Sequence, residues 1–336
     1  MRAYVVTRYG GLEAAEIREI PVPEPAPHEI RVRVHAAGLN PVDYKFREGK
    51  LKVLQRPKLP IALGCEFSGI VEAVGSRVTR FAVGERVYAR VDKADYGALA
   101  EFVCIDERLV ARMPVTLGFE AAAGVPLAAL TALQCLRDEL HAATGLRLLI
   151  TGGAGGVGTF AIQLAKWLGA EVTTTASPRG EELVRRLGAD RVVDYTRERL
   201  TDVIRDMDGA LDLVGGASLE ACFGAVKRGG TVVSIAGMPE PQTARKDLGA
   251  GSGLAALFWL ASFSLRRHAR ARGLRYRYKF MHPSGEQLAE LANLIDAGRL
   301  EVVVDRVFPF GEVEAAFRYL EQGRAKGKVI VTMPEA

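Results

Sequence analysis

The amino-acid sequence predicts an α/β protein with two domains, one of them β-rich and the other built on a doubly wound parallel sheet. Residues 1–120 contain short apolar or alternating patterns separated by glycine and proline, which is typical of strands and turns. From residue 121 onward, apolar strands alternate with helices of 3.6-residue periodicity, as in a parallel sheet covered by helices. The chain then returns to strands near its end. We therefore place the β-rich domain at 1–120 and 280–336 and the second domain at 121–279.

Each element follows from its local pattern. In the first domain, strands are predicted at 3–6, 30–34, 69–74, 86–89 and 99–105. In the second, a helix at 127–136 precedes strands at 147–151, 172–175, 191–193, 210–214 and 231–235, with helices at 181–187 and 218–226 between them. The closing part contains a helix at 284–297, with Ser284 and Gln287 spaced as a capping box, and strands at 301–307 and 328–333 around a further helix.

One segment fits neither pattern. An apolar run at 254–263 is followed by a basic cluster from Arg266 to Lys279. The run is shorter than the ~20 residues that a spanning helix needs. It predicts an apolar helix followed by a basic helix or turn, packed as a lid or a subunit contact. Peripheral membrane contact through 254–279 stays open, because basic residues beside Phe258, Trp259 and Phe263 suit a lipid headgroup boundary.

Composition sets further limits. The 336 residues are 49% hydrophobic and 25% charged, with a net charge of +5, which suits an anionic cofactor, a membrane surface or nucleic acid. The four cysteines lie far apart and form no C-x-x-C pair, so the sequence indicates neither a zinc knuckle nor a disulfide framework. The first residues, MRAYVVTRYGG, contain no apolar leader, and we expect a cytoplasmic protein.

The most informative stretch runs from 146 to 176, where a strand, a glycine-rich turn and an amphipathic helix follow one another. Gly153, Gly155 and Gly158 have G-x-G-x-x-G spacing, and a second strand follows the helix. Such glycines allow a tight turn and a close approach of backbone to a pyrophosphate, with the helix N-terminus facing the anion. The sequence therefore predicts a dinucleotide site that includes the backbone of Gly156 and Val157.

The residues after the second strand indicate which dinucleotide. An NAD-binding domain places a carboxylate there, but no carboxylate occurs between Glu171 and Glu181. Ser177 and Arg179 instead suit a 2′-phosphate, which favours NADP. Alternatively, Ser177 caps the next helix and Arg179 is solvated. Gly215 and Gly237 end later strands at the same carboxyl edge, where backbone approaches a cofactor.

Several motifs resemble the zinc-independent branch of the medium-chain dehydrogenase/reductase superfamily, which includes quinone oxidoreductases and enone or alkenal reductases. They are the G-x-E-x-x-G-x-V pattern and its extension at 64–78, GERV at 84–87, GGAGGVG at 152–158, LGAD at 187–190, DYT at 194–196, GLNPVDYK at 38–45 and GRAKGKVIV at 323–331. The resemblance implies a GroES-like first domain, completed by the C-terminal segment, and a Rossmann second domain. It also suggests a homodimer formed through edge strands of the Rossmann sheets.

The resemblance separates this chain from the zinc-dependent members. Asn40 stands where those members have a cysteine, and Cys65 stands where they have a histidine. The structural four-cysteine lobe is absent from 92–105. Cys65 and Glu66 alone are too few ligands for a catalytic zinc site, so we expect no metal.

By resemblance, Asn40 and Lys45 contact the nicotinamide ribose or the substrate, and Thr131 lies near the nicotinamide amide. Tyr195 and Lys328 would also reach the cofactor by resemblance. Each has a plainer alternative: a solvated loop position for Lys45, a strand-end aromatic packed on the helix for Tyr195 and a strand-edge position for Lys328. Asp43 caps the following turn or takes part in catalysis.

The predicted function is NADPH-dependent hydride transfer to a quinone or an α,β-unsaturated carbonyl. Hydride addition builds negative charge on the acceptor oxygen, which requires a donor such as Lys45 or Tyr44. An NADP-linked alcohol dehydrogenase is an alternative, although polarising an unactivated carbonyl without zinc is difficult. A second alternative is a protein that binds nucleic acid or anionic lipid through Arg266–Lys279 and is regulated by NADPH, with nucleic acid the less favoured ligand.

Overall fold

The computed structural model describes residues 1–52, 54, 58–92 and 96–334. Within these residues the chain forms two compact units, one comprising 1–130 and 282–336 and the other 131–281. The predicted boundaries were 120 and 280, whereas the first unit continues to residue 130 and resumes at 282. The strands are β1 Arg2–Val6, β2 Ala15–Glu19, β3 Glu29–Leu39, β4 Ile61–Ala62, β5 Glu66–Val74, β6 Arg86–Arg90, β7 Phe102–Asp106, β8 Val110–Arg112, β9 Arg147–Ile150, β10 Glu171–Ala176, β11 Arg191–Asp194, β12 Met207–Asp212, β13 Val226–Ser234, β14 Arg275–Tyr278, β15 Val304–Pro309 and β16 Lys328–Thr332.

Helices connect these strands. They are α1 Pro41–Arg47, α2 Phe119–Ala123, α3 Pro126–Leu133, α4 Gly156–Trp167, α5 Pro178–Arg186, α6 Leu200–Val203, α7 Ala217–Ala225, α8 Ser252–Ala261, α9 Phe263–Ala271, α10 Gly285–Asp296 and α11 Val313–Glu321. The predicted cap of α10 is present, since the Ser284 hydroxyl accepts a hydrogen bond from the backbone N–H of Gln287 at 3.2 Å. No helix among the described residues is both long and apolar enough to cross a membrane.

The first unit is β-rich, as predicted. Its larger sheet has the order β15-β16-β3-β5-β6-β8, with β7 also paired to β3, and its smaller sheet has the order β2-β1-β4. Strand β3 shows the predicted alternation, with Ile30, Val32 and Val34 buried and the intervening residues partly exposed. Strand β16 pairs antiparallel with β3, so the C-terminal segment completes this sheet.

The second unit contains a parallel sheet of order β11-β10-β9-β12-β13-β14. The order reverses beside β9, as in a doubly wound sheet. Helix α4 buries Ala161, Leu164 and Ala165, whose i, i+3, i+4 spacing is the period that predicts this helix. The α/β class with a Rossmann-type sheet and a separate β-rich unit is therefore confirmed.

The prediction for 254–279 is correct for two helices and wrong for the last part. Helices α8 and α9 form as expected, but residues 275–278 form the edge strand β14 rather than a helix or turn. Arg277 and Lys279 are buried in a cluster of ion pairs with Glu139, Glu240 and Asp247. The basic cluster is thus divided into a buried part that joins the sheet and an exposed part on α9.

Candidate functional site

The glycine-rich turn lies between β9 and α4 in the second unit, as predicted. A Cβ on Gly153 would come within 2.1 Å of the Thr174 hydroxyl, and a Cβ on Gly158 within 2.4 Å of the Gly152 carbonyl. Gly153 is therefore required where the turn packs against β10, and Gly158 is required where the first turn of α4 packs against the Gly152 and Gly153 carbonyls. Gly152, which precedes the three glycines of the G-x-G-x-x-G pattern, has a φ of +69°, a left-handed conformation that glycine adopts without strain and that the turn requires.

Gly155 differs from its neighbours because internal packing does not require it. A Cβ there would make only an ordinary contact, 3.4 Å from the Gly152 carbonyl. Gly155 is the N-cap of α4, and the N–H groups of Gly156, Val157 and Gly158 precede the first possible intrahelical acceptor. The turn thus leaves open space in front of unpaired donors at a positive helix end, which fits a pyrophosphate.

The residues predicted to select NADP lie at the carboxyl end of β10. Ser177 is the N-cap of α5, but its hydroxyl makes no capping hydrogen bond, so the capping alternative does not occupy that group. Arg179 is exposed in the first turn of α5. Glu181, the acidic residue that follows on this helix, forms an ion pair with Arg185 at 2.8 Å. This end of the strand therefore brings a hydroxyl and an exposed cation close together in sequence, at the start of α5.

Tyr195 lies one strand away. Strand β11 is parallel to β10, with Ala176 opposite Asp194, so Ser177 and Tyr195 follow their strands at the same edge of the sheet. The Tyr195 side chain is 62% exposed, which does not agree with the alternative of an aromatic packed on a helix.

Gly215 and Gly237 are joined through a carboxylate that the sequence analysis did not single out. Asp212, fully buried at the end of β12, accepts hydrogen bonds from the Thr151 hydroxyl (3.0 Å), the Ser234 hydroxyl (2.8 Å) and the Gly215 backbone N–H (3.0 Å). The Ser234 hydroxyl in turn accepts from the Gly237 backbone N–H at 2.9 Å. Asp212 therefore ties together the carboxyl ends of β9, β12 and β13.

In the first unit, Asn40, Glu66 and Lys328 form one buried cluster. The Lys328 ammonium donates to Glu66 Oε1 (2.7 Å), Asn40 Oδ1 (2.5 Å) and the Leu39 carbonyl (3.2 Å). Glu66 Oε1 also accepts from Asn40 Nδ2 at 2.7 Å, and Glu66 Oε2 accepts from the Leu127 backbone N–H at 2.6 Å. Each of the three side chains is at most 3% exposed.

This cluster bears on the role predicted for Lys328. Strand β16 lies between β15 and β3, so the alternative of a strand-edge lysine is wrong. The ammonium has three acceptors inside the first unit, one of which is Asn40 Oδ1, while Asn40 Nδ2 donates to Glu66 Oε1 and to the Gly38 carbonyl. The geometry favours a positioning role for Lys328, through Asn40 and the start of α1, over a contact with the cofactor.

Asp43 and Cys65 form a second buried pair. The Cys65 thiol donates to Asp43 Oδ1 at 2.9 Å, and the Asn40 backbone N–H donates to Asp43 Oδ2 at 2.8 Å. Burial raises the pKa of Asp43 to about 6, and burial raises the pKa of the Cys65 thiol well above its usual value. Asp43 thus caps the start of α1, and Cys65 has its sulfur engaged in a hydrogen bond.

Tyr44 and Lys45 lie on α1, a helix that is not among the elements predicted from the sequence. Both side chains are half-buried. Burial lowers the pKa of Lys45, with Lys50 adding to the effect, and burial raises the pKa of Tyr44. Among the described residues the Lys45 ammonium has no hydrogen-bond acceptor, and Lys45 lies on a helix rather than on the loop of the alternative. Thr131, on α3, is buried and 4% exposed.

The former positions of metal ligands are used differently here. The described ranges contain no group of three or more His, Cys, Asp and Glu side chains placed to hold a metal ion. Cys65 bonds to Asp43, while Glu66 bonds to an ammonium, an amide and a backbone N–H. The positive charge of Lys328 therefore neutralises Glu66 without a metal.

Two family models match parts of this chain. Residues 26–115 match the alcohol dehydrogenase GroES-like domain, and residues 187–331 match the zinc-binding dehydrogenase family. The chain is 35% identical to mouse "NAD(P)H oxidoreductase RTN4IP1, mitochondrial", over 99% of this chain and 89% of that protein. It is 36% identical to Arabidopsis thaliana "NADPH-dependent alkenal/one oxidoreductase, chloroplastic", over 98% of this chain and 79% of that protein.

A solved structure shows the same arrangement of elements. Escherichia coli quinone oxidoreductase complexed with NADPH superposes with a TM-score of 0.83 at 26% identity, covering 99% of this chain and 100% of the other. The family matches and these relatives lead to one assignment. The chain belongs to the medium-chain dehydrogenase/reductase superfamily, in its zinc-independent quinone oxidoreductase and enone reductase branch.

Proposed function

We propose that this protein is an NADPH-dependent oxidoreductase that transfers hydride to a quinone or an α,β-unsaturated carbonyl, without zinc. The observation that carries the proposal is the half-buried ammonium of Lys45, which has no acceptor among the described residues. The relative named an alkenal/one oxidoreductase and the solved quinone oxidoreductase support the substrate class.

The second unit supplies the residues proposed to hold the cofactor. The backbone of Gly153, Gly155, Gly156, Val157 and Gly158 binds the pyrophosphate at the N-terminus of α4. Ser177, Arg179 and Tyr195 bind the 2′-phosphate, while Gly215 and Gly237 line the carboxyl edge and Thr131 contacts the nicotinamide amide. When bound, NADPH supplies the hydride.

The first unit supplies the donor. Lys45 stabilises the negative charge that develops on the acceptor oxygen, and Tyr44 shares this role. Asn40, held by Lys328 and Glu66, sets the start of α1 and so the direction in which Tyr44 and Lys45 project. Water provides the second proton. An enone or a quinone needs no metal ion on its carbonyl oxygen, because the negative charge that hydride addition produces is delocalised.

An assay with a panel of acceptors tests the proposal. NADPH oxidation is followed at 340 nm with quinones, enones, saturated aldehydes and saturated ketones. Conjugated acceptors should be reduced, saturated carbonyls should not, and prolonged chelation should leave the rate unchanged. If only saturated aldehydes supported NADPH oxidation, the alcohol dehydrogenase alternative would be favoured. If none of the acceptors supported it, the binding-protein alternative would be favoured.

Two finer proposals concern assembly and location. We propose a homodimer formed through an edge strand of the parallel sheet, where β11 and β14 lie; sedimentation equilibrium should give twice the chain mass of 36.3 kDa. We also propose a cytoplasmic location. Because two curated relatives are named mitochondrial and chloroplastic, imaging of a tagged chain with organelle markers is the test.

A further inference from the structure

The α8–α9 segment displays apolar side chains instead of burying them. Leu257, Trp259 and Phe263 are each 48% exposed, and Leu260 is 66% exposed. The segment packs inward through a different set of side chains, Ala255, Phe258, Ser262, Leu265 and Ala269. A helix of a soluble domain normally directs such residues to the core, and a contiguous exposed group indicates an interaction surface.

Arginines border these apolar side chains. Trp259, Phe263, Arg266, Arg267 and Arg270 line one surface groove of about 420 Å³, together with Ala271. The Arg266 guanidinium lies 5.3 Å from the centre of the Trp259 ring and donates to the Trp259 carbonyl at 2.7 Å, so this arginine is held against the aromatic surface.

Two arginines of this groove have guanidinium groups without an ion-pair partner among the described residues. Arg267 and Arg270 are exposed, and neither forms an ion pair within the described ranges. The sequence contains no acidic residue between Asp247 and Glu286. We call Leu257, Trp259, Leu260, Phe263, Arg267 and Arg270 the α8–α9 patch.

We propose that the α8–α9 patch docks the protein on an anionic membrane surface. The four apolar side chains enter the boundary between headgroups and acyl chains, and Arg267 and Arg270 contact lipid phosphates. This combination of aromatic and aliphatic side chains beside arginines is the one that interfacial helices use. The inference does not depend on the proposed function, since it concerns a surface and not the reaction.

The charges favour a membrane over the other possible occupants. A second copy related by a two-fold axis would place Arg267 and Arg270 against themselves, and the chain already carries a net charge of +5. Nucleic acid would satisfy the arginines but would leave Leu257 and Leu260 without an apolar environment. An anionic bilayer satisfies both kinds of side chain at once.

Vesicle flotation of the full chain provides the test. The protein should bind vesicles of 30% phosphatidylglycerol in phosphatidylcholine at 150 mM salt and should not bind vesicles of phosphatidylcholine alone. The double variant Arg267→Glu/Arg270→Glu should bind about twentyfold more weakly or worse, and Leu257→Ser/Leu260→Ser should also lose binding.

Matched variants control for net charge and for lost apolar surface. Arg299→Glu/Arg324→Glu removes two exposed arginines elsewhere, and Val83→Ser/Val115→Ser removes two exposed apolar side chains; both should bind as the unmodified chain does. Circular dichroism verifies that every variant is folded.

A spectroscopic measurement locates the contact. The chain has two tryptophans, so Trp167→Phe leaves Trp259 as the only one. Its emission should shift to shorter wavelength with anionic vesicles and stay unchanged with neutral ones. Absence of binding, equal binding to both vesicle types, or equal loss in the control variants would overturn the proposal. So would a dimer that dissociates when Leu257 and Leu260 are replaced, because the patch would then be a contact between copies.

Discussion

Replacing Lys328 by methionine removes the cation of the buried cluster in the first unit and keeps most of the side-chain volume. The Glu66 carboxylate, which is fully buried, then loses its only charged partner among the described residues, and Asn40 Oδ1 loses its donor. Removing one partner of a buried ion pair typically costs about 3–5 kcal/mol, because the other charge stays uncompensated. We therefore expect Lys328→Met to lower the free energy of unfolding of the first unit by that amount.

Hydrogen exchange measures this loss in the unit concerned. A cost of about 3–5 kcal/mol corresponds to a decrease of roughly 150- to 4,000-fold in the protection of amides that exchange through unfolding of the first unit. Peptides covering β3 and β5 should lose protection, whereas peptides covering β9 and β10 in the second unit provide an internal reference.

Two further variants test whether the buried ion pair accounts for the lost protection. Lys50→Met removes an exposed lysine whose partner is Glu48. It should change the free energy of unfolding obtained from the protection factors by less than about 1 kcal/mol. Glu66→Gln/Lys328→Met removes both charges and should cost less than Lys328→Met alone. If Lys328→Met behaved like Lys50→Met, or if the double variant were the less stable, the cluster would not hold the first unit as we describe.

The remaining predictions concern cofactor choice, catalysis and pH. Arg179→Ala should weaken NADPH binding about ten- to a hundredfold and leave NADH binding nearly unchanged, since a charge-assisted hydrogen bond contributes roughly 1.5–3 kcal/mol. Calorimetric titration measures the affinities for both cofactors, and Arg185→Ala is the control on the same helix. Equal affinity of the unmodified chain for NADPH and NADH would contradict the assignment. Lys45→Ala should lower kcat for enones about a hundredfold at nearly constant KM for NADPH. A raised KM for NADPH at constant kcat would mean instead that Lys45 holds the ribose. Lys50→Ala is the control. Asp43 has its pKa raised from 3.8 to about 6 by burial, so the folded state favours the protonated carboxyl and loses stability as pH rises from about 4 to 6. Asp43→Asn should remove this loss. In thermal unfolding, the stability of the variant minus that of the unmodified chain should increase by up to about 3 kcal/mol between pH 4 and pH 7. If that difference in stability stayed constant across the range, Asp43 would not titrate there.

Local patterns predicted most of the fold. The alternation over 30–35 and the 3.6-residue period after the glycine-rich turn lie within single elements, so the sequence alone reveals them. The short strands β2, β4 and β8 were missed because two to five residues carry little periodicity. Helix α1 was missed as well, although Asn40 followed by Pro41 is a recognised helix start.

Strand β14 shows why other features could not be predicted. Its sequence, RYRY, looks exposed, and it joins the sheet because Glu139, Glu240 and Asp247 neutralise Arg277. These partners are separated from Arg277 by 30 residues or more. Likewise, no local pattern links Lys328 with Glu66, which lies 262 residues away. Residue types indicated the candidate site, but its charge balance depends on contacts that only the folded chain makes.

The pairing of β16 with β3 also has a consequence for the order of events during synthesis. Asn40 and Lys328 are 288 residues apart, and the second unit lies entirely between them. While the ribosome adds residues one at a time, the second unit is complete long before Lys328 is made. Until then Glu66 lacks its cation and β3 lacks one neighbour, exposing an unpaired edge. A nascent chain stalled before residue 328 should therefore contain a protease-resistant second unit and a first unit that proteases still cut.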